Sequence, residues 1–263
     1  MAEAEKHQCE LVIIRALWYS LNMKSILFDL DDTIYAREDP FGKAFYEVFG
    51  RKILVGKKDI SSVYDDFLRY GLDLFEESMN GTVSMETLYI DRIRKTLLAL
   101  GEHISDDTAL TFQDHYAKAQ TCLTLSPTMR DVLDECAVQA DFIGIVSNGE
   151  SAHQRAKFET LGLSGWILPD HFLPTGDLGI NKPDPAVLLE AQKRWNLVPD
   201  STWYIGDSLE HDIVCAASVG WHTLWLNRHH EPENSLPELT ACSEEDLLLK
   251  IRTLFTEKQE VTS

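Results

Sequence analysis

Apolar runs bounded by polar or glycine residues recur along the chain, with amphipathic stretches between them. Four short runs predict β-strands, because each is too short for a buried helix and stops at a turn signal; they lie at residues 25–28, 142–146, 202–205 and 222–226. Helical periodicity separates the later runs, at residues 151–161, 184–195 and 212–219. This alternation predicts an α/β fold in which helices flank a parallel sheet.

The segment between the first and second predicted strands has a different pattern, with helical periodicity and no strand-like run. Its predicted helices lie at residues 41–49, 61–75, 84–100 and 106–119, and a last helix lies at residues 243–255. We therefore predict an all-helical inserted domain, residues 37–123, within a core formed by residues 24–36 and 124–255. Residues 1–23 are predicted to be an N-terminal extension and residues 256–263 a tail.

The charge balance restricts the class of partner. The 263 residues include 24 Lys plus Arg against 43 Asp plus Glu, which gives a net charge of −19. Because proteins bind phosphate polymers and anionic membranes through clustered Lys and Arg, we expect neither a nucleic-acid polymer nor a membrane as partner. A small anionic substrate stays compatible with this acidity if a metal ion locally reverses the field.

Neither a membrane anchor nor a disulfide framework is predicted. The apolar segment at residues 11–23 contains Arg15 and is too short to cross a bilayer. The five cysteines are an odd number, widely spaced, without the spacing of a zinc site. Reduced thiols are the simplest interpretation, and they favour a cytoplasmic location.

Paired carboxylates follow the first predicted strand. Asp29 and Asp31 are two residues apart where the chain leaves the strand, so one could act as a nucleophile or metal ligand and the other as an acid and base. Taken alone, an Asp-rich turn is more often a solvated turn with a helix cap.

Two other loops carry candidate phosphate-binding groups. Ser147, Asn148 and Gly149 offer a hydroxyl and backbone N–H groups at the start of a helix, although a simple N-cap has the same sequence pattern. Lys182 lies in a loop stiffened by Pro183, where a fixed cation could neutralise a negative intermediate. Most lysines are solvated surface groups, so this residue is informative only together with the others.

Acidic residues also follow the third predicted strand, at Asp207 and Asp212. Carboxylate oxygens suit Mg²⁺, which prefers one or two carboxylates together with water and phosphate oxygens. All four groups of candidate residues lie at the carboxyl ends of predicted strands or in the adjoining loop, where open α/β sheets bind ligands. Their combination is much more specific than any one of them.

In this combination the sequence resembles the haloacid dehalogenase (HAD) superfamily of hydrolases. The four motifs of that family match positions in this chain in the same order, namely Asp29/Asp31/Thr33, Ser147, Lys182 and Asp207/Asp212. The resemblance extends from Lys24 to about Phe255, and it implies a Rossmann-like, doubly wound core with a helical C1 cap inserted into it.

The resemblance also implies roles for these residues in a Mg²⁺-dependent phosphatase. Asp29 would attack the phosphorus atom to form an aspartyl phosphate, and Asp31 would protonate the leaving oxygen and later activate water. Mg²⁺ would be held by the Asp29 carboxylate, the Asp31 backbone carbonyl and Asp207, with Asp212 supporting the metal's water ligands. The substrate-binding residues would be Thr33, Ser147, Asn148 and Lys182.

Other members of the superfamily remain as alternatives. Halide-releasing 2-haloacid dehalogenases attack carbon and need no acid for the leaving group, so Asp31 favours a phosphatase. A phosphomutase, or a non-catalytic binding protein on the same fold, also remains an alternative.

The predicted substrate is a small phosphorylated metabolite. The stretch from Gly206 to Asn227, followed by Arg228, His229 and His230, resembles that of non-canonical pyrimidine 5′-nucleotidases, as do Asp31, Asp32 and Thr33. This resemblance favours a nucleoside 5′-monophosphate over the substrates of the similar N-acylneuraminate-9-phosphatases and phosphoglycolate phosphatases. No role is predicted for His153, His211, His229 or His230, nor an oligomeric state.

Overall fold

A six-stranded, fully parallel sheet forms the centre of one part of the chain in the computed structural model, which describes residues 24–54, 58–79 and 82–256. The predicted N-terminal extension and the tail beyond residue 256 lie outside these residues. The strands are β1 (Ser25–Phe28), β2 (Phe142–Ser147), β3 (Phe172–Pro174), β4 (Thr202–Gly206), β5 (His222–Leu226) and β6 (Leu239–Ala241). Their order in the sheet is β3-β2-β1-β4-β5-β6, which confirms the predicted parallel α/β fold.

The helices fall into two groups along the chain. The inserted segment contains α1 (Glu38–Val48), α2 (Ile60–Met79), α3 (Met85–Ala99) and α4 (Asp106–Gln120). The segment after it contains α5 (Pro127–Gln139), α6 (Ser151–Thr160), α7 (Ala186–Trp195), α8 (Cys215–Ser218) and α9 (Glu244–Thr256). Ser84 and Ser105 cap α3 and α4 by accepting a hydrogen bond from the backbone N–H three residues later.

The register of the sheet aligns the residues that follow its central strands. Phe28 in β1 is paired with Ile145 in β2 and with Ile205 in β4. All residues of β1 are buried, as expected for a strand covered on both faces. Asp29 therefore leaves the sheet beside the ends of β2 and β4, and the loops after these three strands share one edge.

The chain divides into two compact units, one formed by residues up to Tyr35 and from Thr124 onward, the other by Ala36–Leu123. The first unit contains the sheet, and the second is all-helical. Aromatic rings dominate the core of the helical unit, with Phe41, Phe45 and Phe67 almost fully buried. Phe41 and Phe67 have ring centroids 4.8 Å apart. These rings stabilise the helical unit itself and are not exposed for stacking on a ligand.

The structure differs from the predicted elements in four places. Helix α5 (Pro127–Gln139) was not predicted, although Ser126 caps it by accepting a hydrogen bond from the Met129 N–H. β3 and β6 were not predicted, because each has only three residues and gives too short an apolar pattern. The predicted helix at residues 212–219 begins as a π-helical turn, Leu209–Val214, before the short helix α8. Ser208 caps this turn, since its side chain accepts from the His211 N–H while its own N–H donates to Asp212. Within the described residues, no helix is long and apolar enough to cross a bilayer.

Candidate active site

Lys182 lies at the centre of a buried cluster of charged and polar groups. Its Nζ donates to Asp29 Oδ1 at 2.8 Å, to Asp212 Oδ1 at 2.5 Å and to the Tyr204 hydroxyl at 2.7 Å. The side chain is 1% exposed. Burial lowers the pKa of Lys182, but the carboxylates of Asp212 and Asp29 outweigh this effect and raise it well above its usual range. Lys182 therefore carries a fixed positive charge at the carboxyl edge of the sheet.

Asp29 is positioned by the sheet itself. Its backbone N–H donates to Ile205 O at 2.8 Å, which continues the hydrogen bonding between β1 and β4 by one residue. Burial raises the pKa of Asp29 to about 7; Lys182 opposes this shift, whereas Asp212 and Asp31 add to it. The carboxylate thus lies in a buried setting in which the contact with Lys182 stabilises its charge.

Three carboxylates form a cluster with the chemistry of a magnesium site. One oxygen each from Asp29, Asp207 and Asp212 lies within 4.8 Å of the others. The Thr33 hydroxyl donates to Asp207 Oδ1 at 3.1 Å, and the Trp225 indole N–H donates to the Asp207 carbonyl at 2.7 Å. An all-oxygen donor set of this kind fits Mg²⁺.

Gly206 allows the close approach of the Asp212 carboxyl group. A Cβ built on Gly206 would lie 2.4 Å from three atoms of the Asp212 side chain. Asp212 is almost fully buried, with Oδ1 bound by Lys182 and Oδ2 bound by the Ser208 N–H at 3.0 Å. The glycine therefore makes room for the carboxylate that orients Lys182.

The end of β2 provides an unpaired hydroxyl. Ser147 is 1% exposed, and its Oγ has no hydrogen-bond partner within the part of the chain that the structure describes. An unpaired buried hydroxyl is costly and calls for a ligand or water. The next loop is fixed, since the Gly149 N–H donates to the Thr175 hydroxyl at 3.1 Å. This arrangement fits an oxygen of a phosphoryl group.

Two residues predicted to bind substrate have contacts that favour a positioning role. The Thr33 side chain is completely buried, and its hydroxyl donates its hydrogen bond to Asp207. The Asn148 amide makes two hydrogen bonds to the Lys182 backbone, both 2.9 Å. Ser147 and Lys182 remain the candidates for direct contact with a phosphoryl group.

Asp31 is held by residues that the sequence did not single out. Lys157 Nζ donates to both of its carboxylate oxygens, at 2.7 and 2.8 Å, and Gln154 Nε2 donates at 2.9 Å. The only sequence signal was a pair of polar residues three positions apart on α6, which places them on one helix face.

A second set of contacts that the sequence did not predict fixes the loop after β1. Arg228, just beyond β5, donates to the Asp32 carbonyl at 2.7 Å and to the Thr33 carbonyl at 2.9 Å. Its guanidinium also pairs with Glu244 at 2.7 Å.

Of the histidines without a predicted role, His211 contacts Ser208, and His229 and His230 are exposed. For His153, burial lowers the pKa, and Lys157 adds to that effect.

A family model described as a haloacid dehalogenase-like hydrolase matches residues 23–220, which is well over half of the chain. The chain belongs to this family. The family assignment agrees with the motif resemblance in the sequence, and it confirms that the chain is a hydrolase of the HAD superfamily.

Two sequence relatives and one solved structure illustrate where this HAD hydrolase lies in the family. A ribulose-1,5-bisphosphate 5-phosphatase of Halopiger xanaduensis is 27% identical over 233 residues, which cover 88% of this chain and 95% of the relative. The pyrimidine 5′-nucleotidase YjjG of Escherichia coli is 32% identical over 108 residues, 40% of this chain and 47% of the relative.

The structure of the HAD hydrolase YfnB from Bacillus subtilis, bound to magnesium, covers 87% of this chain and 98% of its own. It superposes with a TM-score of 0.64 at 22% sequence identity, which shows a shared fold.

Proposed function

We propose that this HAD hydrolase is a Mg²⁺-dependent phosphatase that hydrolyses a small phosphorylated metabolite through an aspartyl-phosphate intermediate. The observation that carries the proposal is the contact of Lys182 Nζ with Asp29, at 2.8 Å, beside the carboxylates of Asp207 and Asp212. A nucleophilic carboxylate that must approach a phosphate needs such a cation, because two anions otherwise repel each other in a buried site.

The chemistry is divided between Asp29 and Asp31. A carboxylate oxygen of Asp29 attacks phosphorus, and the bond from phosphorus to the leaving oxygen breaks. Asp31 gives a proton to that oxygen and then removes one from the water that attacks the phosphorus of the acyl phosphate, which restores Asp29. Lys182 and the unpaired Ser147 hydroxyl stabilise the phosphoryl oxygens throughout.

Mg²⁺ would be held by Asp29 and Asp207, with Asp212 and the Asp31 carbonyl as further oxygen groups of this chain. When bound, the ion supplies positive charge to the phosphoryl oxygens. The magnesium-bound structure of the fold relative YfnB supports this part of the proposal.

The relatives support a phosphorylated metabolite as substrate, since both sequence relatives are named as enzymes that act on such compounds. We propose a nucleoside 5′-monophosphate as the first compound to test. Pyrimidine nucleotides represent that class of compound, and sugar phosphates and phosphoglycolate form the comparison panel.

We also propose a cytoplasmic location. It is supported by the free thiols of the described cysteines, which are Cys122, Cys136, Cys215 and Cys242.

The deciding experiment measures hydrolysis of 4-nitrophenyl phosphate with and without Mg²⁺ by the unmodified protein and by Asp29→Asn. We expect magnesium-dependent turnover that the substitution abolishes, because the amide is not a nucleophile. Asp170→Asn is the matched control, since Asp170 is exposed on a turn of the same unit. Equal rates for Asp29→Asn and the unmodified protein would reject Asp29 as nucleophile, and metal-free consumption of a chloroacid would favour the dehalogenase.

A further inference from the structure

The carboxylate of Asp31 is surrounded by donors from its own unit. Lys157 Nζ contacts Oδ1 at 2.7 Å and Oδ2 at 2.8 Å, Gln154 Nε2 contacts Oδ2 at 2.9 Å, and the Tyr35 hydroxyl donates to Oδ1. The side chain of Lys157 is only 6% exposed and that of Asp31 14%. A buried ammonium is costly unless it is paired, so this contact is a specific part of the fold.

Helix α6 brings both Lys157 and Gln154 to Asp31. The two residues are three positions apart, so they lie on one face of the helix. Gln154 Nε2 also donates to the Asn148 carbonyl at 2.5 Å, in the loop that follows Ser147. A Cβ built on Gly149 would come within 2.5 Å of the same nitrogen, so the glycine leaves room for this contact. Gln154 therefore connects Asp31 to the loop proposed to bind phosphoryl oxygens.

We propose that Lys157 is a positioning residue that orients the Asp31 carboxylate for proton transfer, and that the hydrogen bond from Gln154 contributes to this orientation. This inference rests on the phosphatase function proposed above. A carboxylate has about four acceptor positions, and the contacts with Lys157, Gln154 and Tyr35 use four. The leaving oxygen of the substrate must replace one of these hydrogen bonds. The two-point contact with Lys157 then fixes the plane of the carboxylate during that exchange.

If Lys157 acts through Asp31, the loss of rate caused by its substitution should depend on the leaving group. Phenyl phosphate releases a basic phenolate that needs a proton, whereas 4-nitrophenyl phosphate releases a weakly basic anion that hardly does. Lys157→Met should therefore lower kcat/KM for phenyl phosphate by about 10²-fold, with a much smaller loss for 4-nitrophenyl phosphate, because kcat/KM reports the step that expels the leaving group.

Arg155→Met is the matched control on the same helix. Arg155 pairs with Asp177 at 2.5 Å, and its side chain is 49% exposed, so its removal should leave both rates unchanged. If Lys157→Met does not fold, Gln154→Leu tests the same idea: it should give a smaller loss with the same dependence on the leaving group.

A double-mutant cycle with Asp31→Asn completes the test. If Lys157 acts through Asp31, Lys157→Met should cause no further loss of kcat/KM in the Asp31→Asn background. Equal losses of kcat/KM for the two substrates, or additive losses in the cycle, would overturn the role of Lys157 while leaving the phosphatase intact. Absence of magnesium-dependent turnover in the unmodified protein would instead reject the phosphatase function, and this inference with it.

Discussion

Asn148 and Lys182 are joined by two hydrogen bonds of opposite direction. Asn148 Nδ2 donates to the Lys182 carbonyl, and the Lys182 N–H donates to Asn148 Oδ1, both at 2.9 Å. Asn148, the residue that follows β2, thereby fixes the backbone from which the Lys182 side chain extends. A carboxamide is suited to this task because it offers a donor and an acceptor at once.

Asn148→Ala should therefore reduce kcat through Lys182. We expect a loss of about 10²-fold, since a shift of about 1 Å in a catalytic group has this effect. The measurement is steady-state hydrolysis of 4-nitrophenyl phosphate with saturating Mg²⁺. The control is Asn234→Ala, which removes an exposed asparagine that accepts a hydrogen bond from the Leu236 N–H, and it should leave the rate unchanged. Equal activity of the two variants would contradict the positioning role.

The raised pKa of Asp29 should make stability depend on pH in metal-free buffer. Burial raises the pKa from an ordinary 3.8 to about 7, so between these values the folded protein binds a proton that the unfolded chain has lost. The free energy of unfolding contributed by Asp29 is therefore highest below pH 4 and falls as the pH rises to about 7.

Asp29→Asn removes this titration because the amide stays neutral. Its stability relative to the unmodified protein should increase between pH 5 and pH 8, by on the order of 2 kcal/mol. Urea unfolding with EDTA at both pH values measures this difference. A difference between the two proteins that is independent of pH would show that Asp29 titrates normally.

Magnesium should stabilise the folded protein through the carboxylate cluster. Binding to the folded state alone adds about 2.7 kcal/mol at a metal concentration of about 100 times Kd. We expect Mg²⁺ to raise the Tm of the unmodified protein and to have much less effect on Asp207→Asn. Asp200→Asn is the control, because Asp200 is exposed on the same unit. An equal rise in Tm for all three proteins would place the metal elsewhere.

Arg228 should stabilise the loop that carries Asp31. Arg228→Met removes the donors to the Asp32 and Thr33 carbonyls and breaks the pair with Glu244, whose side chain is 13% exposed. The free energy of unfolding should fall by roughly 2 kcal/mol. The control, Arg252→Met, breaks an exposed pair with Glu135 and should cost less than about 1 kcal/mol. Equal shifts of the urea midpoint would argue against a special role for Arg228.

The central strands and the strand-end residues were predictable because both depend on short-range patterns. β1 and β5 were predicted with the observed ends, since apolar runs of buried strands stop at polar turns. The proximity of Asp29 and Asp207 was predictable because strand ends in a parallel sheet meet at one edge, and the loop that carries Lys182 adjoins that edge.

The residues that hold the proposed catalytic groups in place could not be predicted from a local sequence pattern. Lys157 contacts a residue 126 positions away, and Arg228 one 196 positions away, so only the folded chain brings them together. Tyr204 fits the apolar pattern of β4, yet its hydroxyl accepts from Lys182 and donates to the Val146 carbonyl at 2.6 Å. Burial raises the pKa of Tyr204 well above its usual range and keeps that donor neutral.

The chain leaves the α/β unit after Tyr35 and re-enters it at Thr124. The strands on either side of this segment, β1 and β2, are direct neighbours in the sheet, with Ser25 paired to Phe142. Every residue to which a chemical step is assigned here belongs to the α/β unit. All of the proposed chemical groups are thus supplied by the chain on either side of the helical insert, and the insert itself supplies none of them.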